Sequence, residues 1–237
     1  MIINVLTITF ANNLNAYEVP WFRGAIVKAL NDKLLLFHNH PDDETFRYRY
    51  PLIQYKIIRG KAAIVCVGEG TQAVGEFFAS GNFDVMIGER SERLQLDRVE
   101  PRRCNIQVWD QMFHYRLRRW LPLNGENYKK YQQTESLAER CTLLEGILKG
   151  NILSMGKGTG IEFEKQVECV ITHLDDPYVV TAKGIKKMCF NLDFDCNVSL
   201  PANIGLGKHA SINFGIVAPL RVKHNTTTDD ITMEYNN

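Results

Sequence analysis

The chain lacks a Cys-x-x-Cys pair. Its six cysteines, at 66, 104, 141, 169, 189 and 196, are scattered, most of them inside apolar stretches such as AAIVCVG and KKMCFNLDF. Neither a zinc site nor a disulfide framework is signalled. No apolar run reaches the roughly 20 residues that span a bilayer. Met1 leads straight into INVLTITF, with no basic segment before it and no cleavage site after it. The expectation is a cytoplasmic protein with no membrane partner. A nucleotide-binding P-loop is missing too. GKGTG at 156–160 lacks the spacing and the terminal Lys-Ser/Thr, and it follows a helical segment, so it reads as a turn and helix C-cap. Excess charge of one sign is absent: 28 basic residues face 27 acidic ones, a net +1. Bulk attraction to a polyanion is thereby excluded, but one locally basic face is not.

Histidine is scarce, at 38, 40, 114, 173, 209 and 224. Only His38 and His40 fall close together. His38-Asn39-His40 is no metal-dependent nuclease motif, because that class spreads its histidines through a ββα unit. A His-x-His pair needs a third ligand, which only Asp42, Asp43 or Glu44 offers here, so no metal is expected. An imidazole in this polar loop instead suits acid–base work around neutral pH.

What is present is a repeated order of elements in 237 residues, 45% of them hydrophobic. Residues 2–10 alternate as a strand, and Asn12, Asn13 and Asn15 are expected to turn it. Pro20 opens a helix with Trp21, Ala25, Leu30 and Leu34 on its apolar face. A polar loop over 37–49 precedes the strand YPLIQYKII. Arg59-Gly60 turns it into a second strand, KAAIVCV. A helix is expected over 71–80, and 92–108 is largely extended. This is β-α-β-β-α-β, the ferredoxin-like order.

The chain then begins again. MFHYRLRRWLPL is a strand, LNGENYKKYQQT a polar helix, and the next segment a longer helix with Leu137, Cys141, Leu144 and Leu148 on one face. Residues 161–173 and 183–200 are extended, and INFGIVAPL is the last strand. The second helix of this unit is shortened or irregular. The expected fold is α+β: tandem ferredoxin-like (RRM-like) domains, 1–109 and 110–237, with a glycine-rich loop before the last strand. The polar tail from 224 is expected to fray.

That loop, IGLGKHASINFGIV at 204–217, sets Gly205, Gly207 and Gly215 around Lys208, His209 and Ser211. Glycines at this density permit left-handed backbone or close approach, and exposed amides beside Lys208 suit a phosphate. Eight arginines fall between Arg90 and Trp120, among them Arg102, Arg103, Arg116, Arg118 and Arg119. They offer a longer basic track.

Two such units, a histidine after the first helix and this loop resemble the Cas6 family of CRISPR-associated repeat-RNA endonucleases. The matching pieces are FRGAIVKAL, FHNH, YPLIQYKII, WLPLNGENYKKY and GLGKHASINFG, and they run along nearly the whole chain. Where the family loop usually ends in Gly-aromatic-Gly, this one has Asn213-Phe214-Gly215. The resemblance implies cleavage of repeat RNA into guide RNAs without cofactor or metal. The ribose 2′-OH attacks the scissile phosphate, leaving a 2′,3′-cyclic phosphate and a 5′-OH. The family's catalytic histidine matches His40 or His38, with His40 nearer the second strand. Its lysine matches Lys56, and its tyrosine Tyr50 or Tyr48. Gly205, Gly207, Lys208, His209 and Ser211 would hold the RNA backbone, with the arginines extending the track. The implied partner is CRISPR repeat RNA; a CRISPR effector or adaptation complex and a homodimer are further assemblies compatible with this reading.

Two other classes share these features. A non-catalytic RNA-binding subunit of a CRISPR complex would keep the loop and dispense with His38 and His40. A metabolic or ligand-sensing protein on a duplicated ferredoxin-like scaffold would place a deep apolar pocket between the units.

Overall fold

Strand β1 (Ile2–Asn13) forms from the alternating β-branched run and continues through Asn12 and Asn13, which were expected to turn. The reversal comes later, where Glu18 accepts from the Asn15 amide. Residues 1–29, 50–80, 83–182 and 184–220 are described in this computed structural model. Helix α1 (Val19–Ala29) buries Val19, Phe22, Ala25, Ile26 and Ala29. This stripe has helical spacing but is rotated from the expected one. Trp21 is half exposed; its ring stands edge-on to Tyr17 and rests against Gly88. Leu30 and Leu34 lie outside the described residues.

Strands β2 (Ile53–Ile58) and β3 (Lys61–Val67) form a hairpin. Both central residues of its turn, Arg59 and Gly60, have positive φ, the twist that tight hairpins favour. Helix α2 (Gly70–Ser80) follows. A short hairpin, β4 (Asp84–Ile87) and β5 (Arg90–Arg93), is inserted before β6 (Leu96–Asn105). The sequence reading missed it. The first sheet has the order β2-β3-β1-β6, antiparallel throughout, which is the ferredoxin-like arrangement.

The second half repeats that arrangement. It comprises β7 (Val108–Trp120), α3 (Gly125–Gln133), α4 (Leu137–Gly158), β8 (Cys169–Leu174), β9 (Tyr178–Ala182), β10 (Ile185–Val198) and β11 (Ile216–Pro219). Asn124 caps α3 by accepting from the Asn127 amide. The buried stripe of α4 is Leu144, Leu148, Ile152 and Met155, whereas Leu137 is exposed in its first turn. GKGTG ends this helix as expected: Thr159 caps it and Gly160 takes the left-handed angle. Residues 161–168 are irregular, so β8 is shorter than the sequence implied. The sheet order is β11-β7-β10-β8, with β9 pairing the first part of β10. Residues 199–215 stand where the second helix of a ferredoxin-like unit would be, and contain none.

Two hydrophobic cores result. One lies between the first sheet and α1, α2 and the inserted hairpin, around Ile8, Phe10, Phe22, Tyr55 and Phe77. The other joins the second sheet and α4 to Ile3, Val5, Val65 and Val67, on the helix-free face of the first sheet. Fully burying side chains of this size contributes about 1.5–3 kcal/mol each. No helix among the described residues is long and apolar enough to cross a membrane.

Candidate nucleic-acid interface

The glycine-rich loop lies in the seam between the sheets. It anchors in both cores: Ile204 and Leu206 belong to the second, Ile212 and Phe214 to the first. It also completes an edge. The Tyr55 amide of β2 donates to Ser211 O (2.8 Å), with a parallel bridge between Tyr55 and Ile212. The Ile57 amide donates to Asn213 Oδ1 at 3.1 Å. On its other flank, Gly215 N donates to Arg119 O and Leu206 N to Gly215 O.

Each loop glycine has a steric reason. Gly215 has φ +60°, and a Cβ there would fall 1.8 Å from Leu206 O. Gly207, φ +80°, lies against Trp120 Nε1 and Asn151 Oδ1, which bond each other. At Gly205 a Cβ would meet Ala210 O and Lys56 Nζ, both at 2.7 Å. Asn203, His209 and Asn213 also take positive φ, so the loop turns repeatedly without a helix. The bulky group that approaches these glycines is the protein itself.

This alters the expected phosphate cradle. Gly205 N donates to buried Gln54 Oε1 (2.7 Å) and Gly215 N to Arg119 O, so neither amide faces outward. The outward arc is 207–211. Lys208 is exposed, with Nζ donating to Leu123 O at 3.2 Å, while His209 and Ser211 are half buried. Partial burial and the nearby Lys187 pull the Lys208 pKa down.

Strand β2 supplies the interior of the seam. Gln54 and Lys56 are 0% and 1% exposed. Lys56 Nζ donates to Ala210 O (2.8 Å) and Phe214 O (3.5 Å). Burial pushes its pKa down to about 7. The expectation that this ammonium meets a scissile phosphate is therefore corrected: it is committed to loop carbonyls. Tyr50 is likewise no surface group. Its hydroxyl accepts from Gln54 Nε2 (2.9 Å), its backbone and Cβ crowd Gly158 of α4, and burial raises its pKa. Sequence alone could not show this, because Lys56 and Ala210 are 154 positions apart. His38, His40 and Tyr48 lie outside the described residues.

The arginine track divides in two. Arg102 and Arg103 are exposed on β6, the edge of the first sheet opposite β2, with Arg102 4.0 Å from Glu100. Arg116, Arg118 and Arg119 lie on β7 beside the loop. Arg116 is paired with Asp175 and Asp193, which leaves it largely neutralised. Arg119 sits over the Phe214 ring at 4.7 Å and donates from Nε to Asn213 O. These three arginines, with Ile57, Tyr178, Asn191, Asn213 and Ile216, line a concavity of about 370 Å³ along the seam. Its chemistry, cationic with one aromatic ring, suits a nucleic-acid backbone.

Comparison with known proteins covers both halves. Residues 1–105 match the Cas6b N-terminal domain and residues 107–220 the Cas6b C-terminal domain. A crystal structure of Cas6b superposes with a TM-score of 0.84 at 26% identity, covering 93% of this chain and 100% of that one. A second, described as the CRISPR RNA processing endoribonuclease Cas6b, gives 0.70 at 25% identity over the same shares. An uncharacterised protein of Methanocaldococcus jannaschii is 36% identical over 98 residues, which are 41% of this chain and 65% of that protein. With both halves matched in order and the loop in its place, the chain belongs to the Cas6 family, in its Cas6b branch.

Proposed function

We propose that the protein is an endoribonuclease that cuts CRISPR repeat RNA into guide RNAs. The observation that carries this is the seam: a glycine-rich arc bearing Lys208, His209 and Ser211 beside an arginine-lined concavity, in a chain matched over both Cas6b domains. A basic groove favours RNA over a small-molecule ligand, which would want an apolar pocket there. Lys208, Arg118 and Arg119 hold the phosphates. The halves correspond to two domains meeting near 106–107, between β6 and β7, a few residues before the expected 109–112, which falls inside β7.

In the reaction the ribose 2′-oxygen attacks phosphorus as its proton passes to a base. The bond to the 5′-oxygen breaks, and that oxygen takes a proton from an acid. A 2′,3′-cyclic phosphate and a 5′-OH remain. His40 or His38 supplies the acid–base function, and the nucleophile belongs to the RNA itself, so the reading calls for no metal. The test is single-turnover cleavage of repeat RNA in EDTA with end-group analysis. His40→Ala or His38→Ala lowers the rate by about 10²-fold or more with affinity nearly unchanged. A 2′-deoxy substitution upstream of the cut abolishes cleavage. Wild-type rates in both variants would assign the histidines no part, and retained binding without any cleavage would leave an RNA-binding subunit.

A further inference from the structure

We infer that Lys56 is a positioning residue: it sets the shape of the glycine-rich loop from inside and acts on RNA only through that loop. The inference rests on the RNA-processing reading for its functional half, and on geometry alone for its structural half.

A buried ammonium is expensive for a fold unless polar groups replace its water. Lys56 is 1% exposed and forms no ion pair among the described residues, so carbonyl oxygens must do that work. Both acceptors come from one segment, Ala210 O at 2.8 Å and Phe214 O at 3.5 Å. Gly205 closes the third side, since a Cβ there would meet Nζ at 2.7 Å. The ammonium thus touches the loop's first arm at 205 and its second arm at 210 and 214. Two positions before it on the same strand face, Gln54 accepts from Gly205 N and donates to Tyr50 Oη and Pro51 O. Between them, the Tyr55 amide holds Ser211 O.

The outward arc 207–211 therefore hangs from points fixed by Gln54, Tyr55 and Lys56. Few intrinsic constraints hold such an arc: Gly207 lies in it, Gly205 and Gly215 flank it, and no helix or long strand runs through it. Holding it in one conformation before RNA arrives removes an ordering cost from binding. A lysine donates to two carbonyls of the second arm while its amino group packs against the first arm at Gly205, which methionine of similar length cannot do. That explains a buried lysine on the same strand face as the buried Gln54.

The experiment compares wild type with Lys56→Met. Hydrogen exchange of the RNA-free proteins is read at Gly205, Leu206, Ile212 and Gly215. Affinity for a 2′-deoxy, uncleavable repeat RNA and the single-turnover rate at saturating RNA are read separately. The expected result is exchange at those amides faster by about tenfold, the scale of one lost hydrogen bond. β1 and β3 keep their protection. Affinity falls by a similar factor, and the saturated rate changes by no more than about threefold. Unchanged exchange with a rate loss near 10²-fold would overturn the inference and place Lys56 at the reacting atoms. Should Lys56→Met fail to fold, Gln54→Leu removes the Gly205 acceptor, together with the donors to Tyr50 Oη and Pro51 O, and leaves Lys56 in place. Faster exchange at Gly205 with weaker binding then supports the inference, and unaltered values overturn it. If wild type does not bind repeat RNA, the functional reading fails, while the exchange data still decide whether Lys56 shapes the loop.

Discussion

The two halves share one strand order and differ most in what fills the connection to the last strand. Between β3 and β6 the first half carries α2 and the inserted hairpin; between β10 and β11 the second carries the glycine-rich loop. A helix there satisfies its own backbone and needs only an apolar face to dock. The loop has no such ladder, so its polar groups are satisfied from elsewhere: Gln54, Tyr55, Lys56 and Ile57 of the other half, and Arg119 of β7. The difference separates a connection that stabilises its own unit from one that ties two units together.

The comparison breaks most readily at glycine. Gly60 and Gly215 both have positive φ, yet around Gly60 there is open space and at Gly215 a Cβ would strike Leu206 O. Gly60→Ala, in the first half's turn, should cost about 1–2 kcal/mol, the left-handed penalty alone. Gly215→Ala should exceed about 4 kcal/mol or prevent folding, because backbone must move. Denaturant unfolding of both variants measures the gap, and equal losses would mean that the loop tolerates displacement.

A pH-dependent effect sharpens the role of the seam. Lys56 titrates near 10.5 in the unfolded chain and about 7 in the fold, through desolvation. Between those values the unfolded chain binds a proton that the native protein does not. Stability from this group is thus full above about pH 10.5 and lost as pH falls to about 7. The limiting slope is about 1.4 kcal/mol per pH unit. Unfolding free energies of wild type minus Lys56→Met, taken from pH 6 to 10, should show that rise; a flat difference would indicate a solvated lysine. The smallest effect concerns the outer arc. Lys208→Ala should leave the unfolding midpoint unchanged and reduce the salt dependence of RNA binding by about one phosphate contact. Binding titrations at several salt concentrations measure it.

The strand order, α2, the end of α4 and the position of the loop were all legible in sequence, because each is written in local periodicity or in glycine. The β4–β5 hairpin left a weaker trace: only Val85 and Ile87 alternate before Gly88, and β5 is polar. The buried stripe of α1 was misjudged at Trp21, whose ring finds its support on Gly88, 67 positions on. At the site, Lys56 and Tyr50 are buried in the seam, and Arg102 and Arg103 stand on the sheet edge away from the loop. The family resemblance puts Lys56 and Tyr50 at the reacting site; the contacts of Lys56 with Ala210 and of Tyr50 with Gly158 span more than a hundred positions and leave no local pattern. Arg102 and Arg103 read as continuous with Arg116–Arg119, although the chain crosses from one sheet's outer edge to the other sheet between them.

The pairing of Tyr55 with Ser211 and Ile212 has a consequence for solubility. Strand β2 would otherwise be a bare sheet edge, and three of its six residues are isoleucine. Such an edge is a template for adding strands from other molecules. The loop is a cap for that template, contributed by the far end of the chain. During synthesis the first half is complete long before the cap emerges, so the nascent protein passes through an interval in which its most adhesive strand stands uncovered.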